Sequence, residues 1–374
     1  MRYLGIDAHK LSEYICVTDN DGKIVEEYKM DNTEENWTAF MKKYAIDTEI
    51  AVETSTTGKY IAHMLRDNGF NIHLANSKEL KLISSSKKKT DKNDARILAR
   101  LLRTGDLPES YLPTKEIDDM RTMIRYRRSL GEDITAIKNR VHAVLTRNGI
   151  SIPSSDIFGK RSLNMILESS RRMSDADNMV LTDLISQYND INARIRKIQD
   201  QLASMRKGVE GIKTLMTIPG IDYYTALGIY SEIGDITRFP DAEHFSSYTG
   251  LVPRIDQSGT TEIYGHITKS GPLVLRFFLV NSVHTLIKLS PTFRGIYRKL
   301  KKRIGKNRAI MATARKLAVI IFKMLSKNQH FEDDYAFKTL YERKLKNMES
   351  RGKMAHEFKL EDMEKIIGEV NIRS

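Results

Sequence analysis

Cysteine is almost missing from this chain: 374 residues contain one, Cys16. A single cysteine excludes an internal disulfide framework and any zinc module built on cysteine pairs within one chain. Because it lies in an alternating apolar segment, it reads as a small buried hydrophobe in a reducing compartment. Long apolar runs are also missing. No stretch approaches the roughly 18 residues of a membrane span. The opening MRYLGIDAHK lacks the apolar core of a secretory signal, so no membrane association is expected. There is no internal repeat and no low-complexity tract beyond one short serine–lysine run. Acids are in deficit, with 61 Lys and Arg against 48 Asp and Glu, a formal net charge of +13. Such an excess in a large chain points to a polyanionic partner, most often nucleic acid.

What is present falls into zones. RYLGIDAHK reads as a buried strand ending in an acid, and residues 12–30 read as a hairpin, EYICVTD and IVEEYKM around an NDGK turn. TEENWTAFMKKYA has helix-start chemistry and helical spacing. EIAVETS, GKYIAHMLRDNG and FNIHLANS then read as strand, helix and strand. The order β-β-β-α-β-α-β predicts a mixed sheet. Residues 115–148 contain no proline and predict a long helix rich in arginine. After a break at NGISIPSSDIFGK, apolar residues recur at 3-4 spacing: Leu181, Leu184, Tyr188, Ile191, Ile195, Ile198, Leu202 and Met205. That seam fits a coiled coil or a helix packed on the chain's own core. Dense Pro and Gly punctuation marks a new globular unit over 210–290. The remainder reads as helical and charged, with a basic cluster RGIYRKLKKRIGKNR at 294–308.

Three groups of residues could carry chemistry. Asp7 and Glu53 end strands, and carboxylates at the C-terminal edges of neighbouring strands can converge. Asp91 and Asp94 stand three apart at a helix start in SSSKKKTDKNDARILARLL, and so share a face. Acids there also complement a helix N-terminus without any ligand. Together the four suit Mg²⁺, which takes hard oxygen ligands beside substrate phosphates, in the pattern of ribonuclease-H-like nucleases. Lys87, Lys88, Lys89, Lys92 and Arg96 around them would hold phosphates. In LMTIPGIDYYTALGIYSEIG, a helix, a turn at Gly220 and a second helix suggest a helix-hairpin-helix presenting amides to a phosphate, or an ordinary helix pair. Ser258 lies in a polar loop with Arg254, His266, Lys269 and Arg276 around it. By its spacing alone it is more readily a turn residue than a nucleophile.

The ordered set GIDAHK, AVETS, KTDKNDARILARLL, IPGI…SEIGDITRFP, YTGLVPR…QSG and GHITKSGPLVLR resembles the insertion-sequence transposases of the DEDD class. The resemblance implies an α/β RuvC-like, ribonuclease-H-like domain over 1–112 and a helical coiled-coil linker over 113–209. A mainly helical transposase domain would follow over 210–295, with the helix-hairpin-helix-like motif and a serine, then a basic, charged helical tail over 296–374. It implies that Asp7, Glu53, Asp91 and Asp94 bind Mg²⁺, with Mn²⁺ as a substitute. It also implies that Ser258 attacks DNA to form a phosphoserine intermediate, with Ser270 the weaker candidate. Nucleic-acid contacts would fall on Lys87, Lys88, Lys89, Lys92, Arg96, Gly220, Arg254, Lys269 and Arg276. The expected partners are double-stranded DNA at the element ends and target, an element-encoded guide RNA, and further copies of the chain as a homodimer or homotetramer. The expected place is the prokaryotic cytoplasm, on the nucleoid. A structure-selective nuclease of the Holliday-junction resolvase type, with water as nucleophile, is the alternative; a binding scaffold without turnover is a third reading, disfavoured because idle carboxylates would repel phosphates. Gln257 stands where the family often has a second serine.

Overall fold

The computed structural model describes residues 1–83, 90–154, 156–205, 209–258 and 261–331, without the side chains of 160, 255–258 and 261–264. The chain divides into two units, Met1–Lys115 and Glu116–Ser374.

The first unit holds β1 (Tyr3–Ala8), β2 (Ser12–Thr18), β3 (Ile24–Asp31), α1 (Glu34–Lys43), β4 (Glu49–Glu53), α2 (Thr56–Asp67), β5 (Asn71–Ala75), α3 (Ser77–Ile83), α4 (Asp91–Thr104) and β6 (Glu109–Ser110). The sheet order is β3-β2-β1-β4-β5-β6. β1 runs antiparallel to β2, with Asp7 opposite Tyr14, and parallel to β4, with Ile6 opposite Val52. This is the mixed α/β sheet expected from the strand pattern. Side chains alternate across it. Leu4, Ile6, Ile15, Val17, Ile50 and Val52 pack with Trp37 and Phe40 of α1 and Ile61 and Leu65 of α2. On the other face, Ala51 and Ala75 meet Leu98, Leu101 and Leu102 of α4, while Cys16 packs against Ala95 and Ala99. Covering both faces is what lets the central strands be apolar throughout.

Two elements were not legible in the strand and helix patterns: α3, and the two-residue β6. The latter is held by His73 of β5, whose ring nitrogens lie 2.6 Å from Glu49 and 2.7 Å from Glu109. Burial lowers the affinity of this imidazole for its proton. The two carboxylates outweigh that and hold its pKa above the ordinary value.

Glu13 is a buried acid of the first unit. It is 1 % exposed, and neither carboxylate oxygen has a hydrogen-bond partner. Burial raises its pKa from 4.5 to about 7, against a lowering influence of His9. The native state therefore binds a proton that the unfolded chain has released between those two values. Stability from this group is complete below pH 4.5 and is lost as pH rises through about 7. Glu13→Gln should flatten that dependence. At pH 8 it should gain about 1 kcal/mol, less than the full shift because the amide stays unbonded. Urea melts of both proteins from pH 5 to 8 measure it; equal slopes with pH would refute it.

The second unit opens with α5 (Lys115–Arg147), α6 (Lys160–Ser170) and α7 (Asp175–Ser204). Ile137, Val141, Val144 and Leu145 of α5 share a cluster with Ile166 of α6 and Leu181 and Leu184 of α7. Both ends of the 3-4 seam are thus used within the chain, since Leu202 enters a second and larger cluster. Ile195 and Met205, farther along, are only half-buried. The larger cluster is built by α8 (Glu210–Met216), α9 (Tyr223–Ile233), α10 (Ala242–Tyr248), α11 (Leu273–Leu289), α12 (Pro291–Ile304) and α13 (Lys306–Lys327). Between α10 and α11 stand the strands β7 (Pro253–Ser258) and β8 (Thr261–Ile267), paired antiparallel.

α12 runs through residue 296, and α13 contributes Ile310, Ala314, Leu317, Ala318, Ile321 and Met324 to the core. The segment after 295 is therefore integral as far as Lys327; residues beyond 331 lie outside those described. α5 is fastened to this core by charge. Arg121, buried, donates to the carbonyls of Ser231 and Glu232, and Arg125 grips the fully buried Glu232 carboxylate at 2.8 and 2.9 Å. Fork-shaped donors matched to both oxygens are the geometry that lets a buried carboxylate hold its charge. Among the described residues no single helix is long and apolar enough to cross a membrane.

Candidate metal and nucleic-acid site

The acid site is assembled by three elements. Asp7 and Glu53 come from adjacent parallel strands, where Ile6 pairs with Val52, so the next residue of each lies at the same edge. The chain then has to bring α4 across the sheet. It does so at a close approach: a Cβ at Gly5 would lie 2.5 Å from the backbone nitrogen of Ala99 and 2.9 Å from Leu98 Cβ. Helix α4 begins at Thr90, whose hydroxyl accepts from the amide of Asn93, and its first turn carries Asp91 and Asp94. That start is set by the local capping chemistry visible in the sequence. Because α4 lies over β1, it also delivers both acids to the strand ends.

Asp7 is 6 % exposed. Burial raises its pKa from 3.8 to about 6. His9 opposes that, and the nearby charges of Asp94, Asp91 and Glu53 add to it. The charges of Glu53, Asp91 and Asp94 thus all act on Asp7, and one further side chain, which the sequence reading did not single out, stands between Asp7 and Asp91. His9 Nε2 lies 3.1 Å from Asp7 Oδ2 and 3.3 Å from Asp91 Oδ1. These three residues can present ligand atoms within 4.8 Å of one another. The signal was there: His9 is two residues from Asp7 at the end of a strand, hence on the same face. A donor set dominated by carboxylates, with Asp7 buried and strained by like charges, fits a divalent cation.

The basic residues divide. Lys87, Lys88 and Lys89 lie outside the described residues. Lys92 and Arg96 reach back to Glu27 of β3, Lys92 at 3.0 Å and Arg96 through both nitrogens of a fork. Those contacts hold the Glu27 pKa down at about 2. The two bases stand beside the acids in sequence, yet one glutamate on the sheet already holds them.

In the second unit, Gly220 forms the turn between α8 and α9 with φ +88°, and a Cβ there would meet Thr285 Cβ at 2.7 Å. Close packing on α11 and the left-handed backbone both require glycine at this turn. Ser258 is the last residue of β7, paired with Thr261 across the hairpin. A strand pair thus replaces the expected polar loop. The base of the hairpin is tied by Thr268 N to Val252 O at 2.9 Å and Lys269 N to Gly250 O at 3.1 Å. Arg254 and Lys269 are exposed. Arg276 is buried and donates to the Thr249 carbonyl at 3.0 Å, under the same base. Ser270 donates to Thr268 Oγ1 at 3.0 Å.

Two family models match separate parts of the chain. The IS110 DEDD model, described as a transposase, matches residues 4–149, and the model of the IS116/IS110/IS902 transposase family matches residues 212–298. The chain is 26 % identical over 340 residues to the transposase for insertion sequence element IS1111A of Coxiella burnetii, covering 88 % of this chain and 91 % of that one. It is 25 % identical to a probable family 20 transposase of Pseudomonas aeruginosa over 74 % of this chain and 84 % of the relative. A pilin gene-inverting protein of Moraxella bovis is 33 % identical over 121 residues, 32 % of this chain and 38 % of that one. The sheet-end acids fall inside the first matched span and the hairpin inside the second, and the chain belongs to the IS116/IS110/IS902 family of transposases.

Proposed function

We propose that this transposase is a site-specific DNA recombinase that excises and inserts its own mobile element through a phosphoserine–DNA intermediate. The observation that supports the reading is a buried Asp7 with ligand atoms of Asp91 and His9 within reach, on which the charges of Glu53 and Asp94 also act. The sheet itself opens with an antiparallel hairpin and continues with parallel strands, as a RuvC-like domain would. These four residues would hold Mg²⁺, or Mn²⁺ in its place. When bound, the ion neutralises charge building on the scissile phosphate.

Ser258 is the nucleophile in this reading. Its Oγ bonds to phosphorus as the bond to the leaving sugar oxygen breaks. The hydroxyl proton departs and the leaving oxygen takes one up, so the ester keeps a bond that strand exchange can reuse. The exposed Arg254 and Lys269 flank the hairpin and contact DNA phosphates, and the turn at Gly220 serves as the helix-hairpin-helix contact. Arg276 acts beneath them as a brace. The basic segments 81–103, 121–140 and 294–308 follow nucleic-acid backbones. Sequence choice comes from an element-encoded RNA pairing with donor and target DNA. Exchange between two duplexes needs at least two copies of the chain, a dimer pairing into a tetramer, working on the nucleoid in the bacterial cytoplasm.

The test is incubation with element-end DNA, the element's RNA and Mg²⁺. A protein–DNA adduct should survive denaturant with the native chain and fall to background, at least a hundredfold lower, with Ser258→Ala. Free cut ends without an adduct would instead identify a resolvase-type nuclease in which water attacks.

A further inference from the structure

We infer that His9 is a nitrogen ligand of the same divalent ion, so that the site is a mixed carboxylate–imidazole centre; this rests on the metal-binding reading of the acids given above. The argument is geometric. In an octahedral site with bonds of about 2.1 Å, neighbouring donor atoms are about 3.0 Å apart. His9 Nε2 stands 3.1 Å from Asp7 Oδ2 and 3.3 Å from Asp91 Oδ1, one from the strand and one from the helix. His9 Nε2 and one oxygen of each acid would thus reach a single ion together. The imidazole stands between two acids that would otherwise face each other as like charges, and it keeps the donor atoms grouped before an ion arrives. Its side chain is half-exposed, at 52 %, so the ring is not locked in a packed core.

A nitrogen donor has a consequence for metal choice. Mg²⁺ strongly favours oxygen, whereas Mn²⁺ and the later first-row ions accept imidazole readily. The site should bind Mn²⁺ more tightly than Mg²⁺, and His9 should be the reason for much of the difference.

The experiment uses the full chain with Mn²⁺ and electron spin-echo spectroscopy, with Mn²⁺ and Mg²⁺ affinities from titration. The native chain should show ¹⁴N modulation from a coordinated imidazole, replaced by the ¹⁵N pattern when histidine is isotopically labelled. In His9→Ala and His9→Gln the modulation should disappear. Mn²⁺ affinity should fall about tenfold and Mg²⁺ affinity by less. Mn²⁺ that binds to the native chain and is lost in Asp91→Asn, but shows no nitrogen modulation, would overturn the role of His9 and leave the acid site standing. A native chain that binds no Mn²⁺ at all would overturn both.

Discussion

Asp7→Asn should give a chain that forms no covalent DNA adduct yet, in chelator at pH 8, unfolds at higher denaturant than the native protein. Asp7 is 6 % exposed, and its pKa is raised from 3.8 to about 6, by burial and then by the neighbouring carboxylates. At pH 8 it is ionised in the native state against that resistance. The native state holds its proton up to about pH 6, while the unfolded chain releases it near 3.8. Stability from this residue is thus complete below pH 3.8 and lost as pH rises through about 6. The shift corresponds to a cost of about 3 kcal/mol at pH 8. Nearby solvent and the loss of the contact with His9 reduce the realised gain in the asparagine variant to about 1–2 kcal/mol.

Mg²⁺ should reverse the ranking. A ligand that binds only the folded state stabilises by RT ln(1 + [L]/Kd), about 2.7 kcal/mol at a hundredfold excess over Kd. The native chain would gain this and the variant little of it. Adduct formation should drop at least a hundredfold, because the remaining acids cannot hold the ion in the same place. Chemical denaturation with and without Mg²⁺, beside the adduct assay, reads both halves. An Asp7→Asn chain that is less stable than native in chelator would refute the electrostatic account even if it were inactive.

The sheet and its acids were legible because they obey short-range rules. Strand alternation around Ile6, Ile15 and Val52 named the buried face. Thr90 and the two acids after it named the start of α4. Asp7 and Glu53 were visible because strand-end carboxylates are conspicuous against apolar runs. Features that depend on distant partners were hidden. Arg96 looked like a phosphate ligand because its neighbours in sequence are lysines, yet it closes on Glu27, on a strand 69 residues earlier. Glu13 alternates with apolar residues like any surface strand residue, and its burial comes from the covering of the sheet face by α1 and α2. β7 and β8 carry polar residues on both alternations, so nothing in RIDQS or TEIYGH distinguishes a strand from a loop. α13 was overshadowed by the lysines and arginines that precede it, although AIMATARKLAVIIFKML has the spacing of a core helix.

The glycine of GIDAHK fixes the distance between α4 and β1. With Ala99 N 2.5 Å and Leu98 Cβ 2.9 Å from where a Cβ would stand, and Ala95 O closer still, Gly5→Ala places a methyl group inside the backbone of the helix. Backbone cannot rotate away as a flexible side chain can, so α4 must move outward by an ångström or more. Overpacking of this kind costs about 1–3 kcal/mol, and more where the obstacle is rigid. We expect about 3 kcal/mol here. The displacement also withdraws Asp91 and Asp94 from Asp7, since all three are positioned by the same helix–strand contact. The variant should therefore lose metal affinity by at least tenfold while leaving every proposed ligand in the sequence. A second change tests the cause. Ala99→Gly shortens nothing on the α4 side but removes a neighbouring methyl, so it should leave the defect nearly intact, because the clash is with backbone. Equilibrium unfolding and Mn²⁺ titration of Gly5→Ala and Gly5→Ala/Ala99→Gly measure both effects. Native-like metal affinity in a destabilised Gly5→Ala chain would separate the helix contact from the site and refute the coupling.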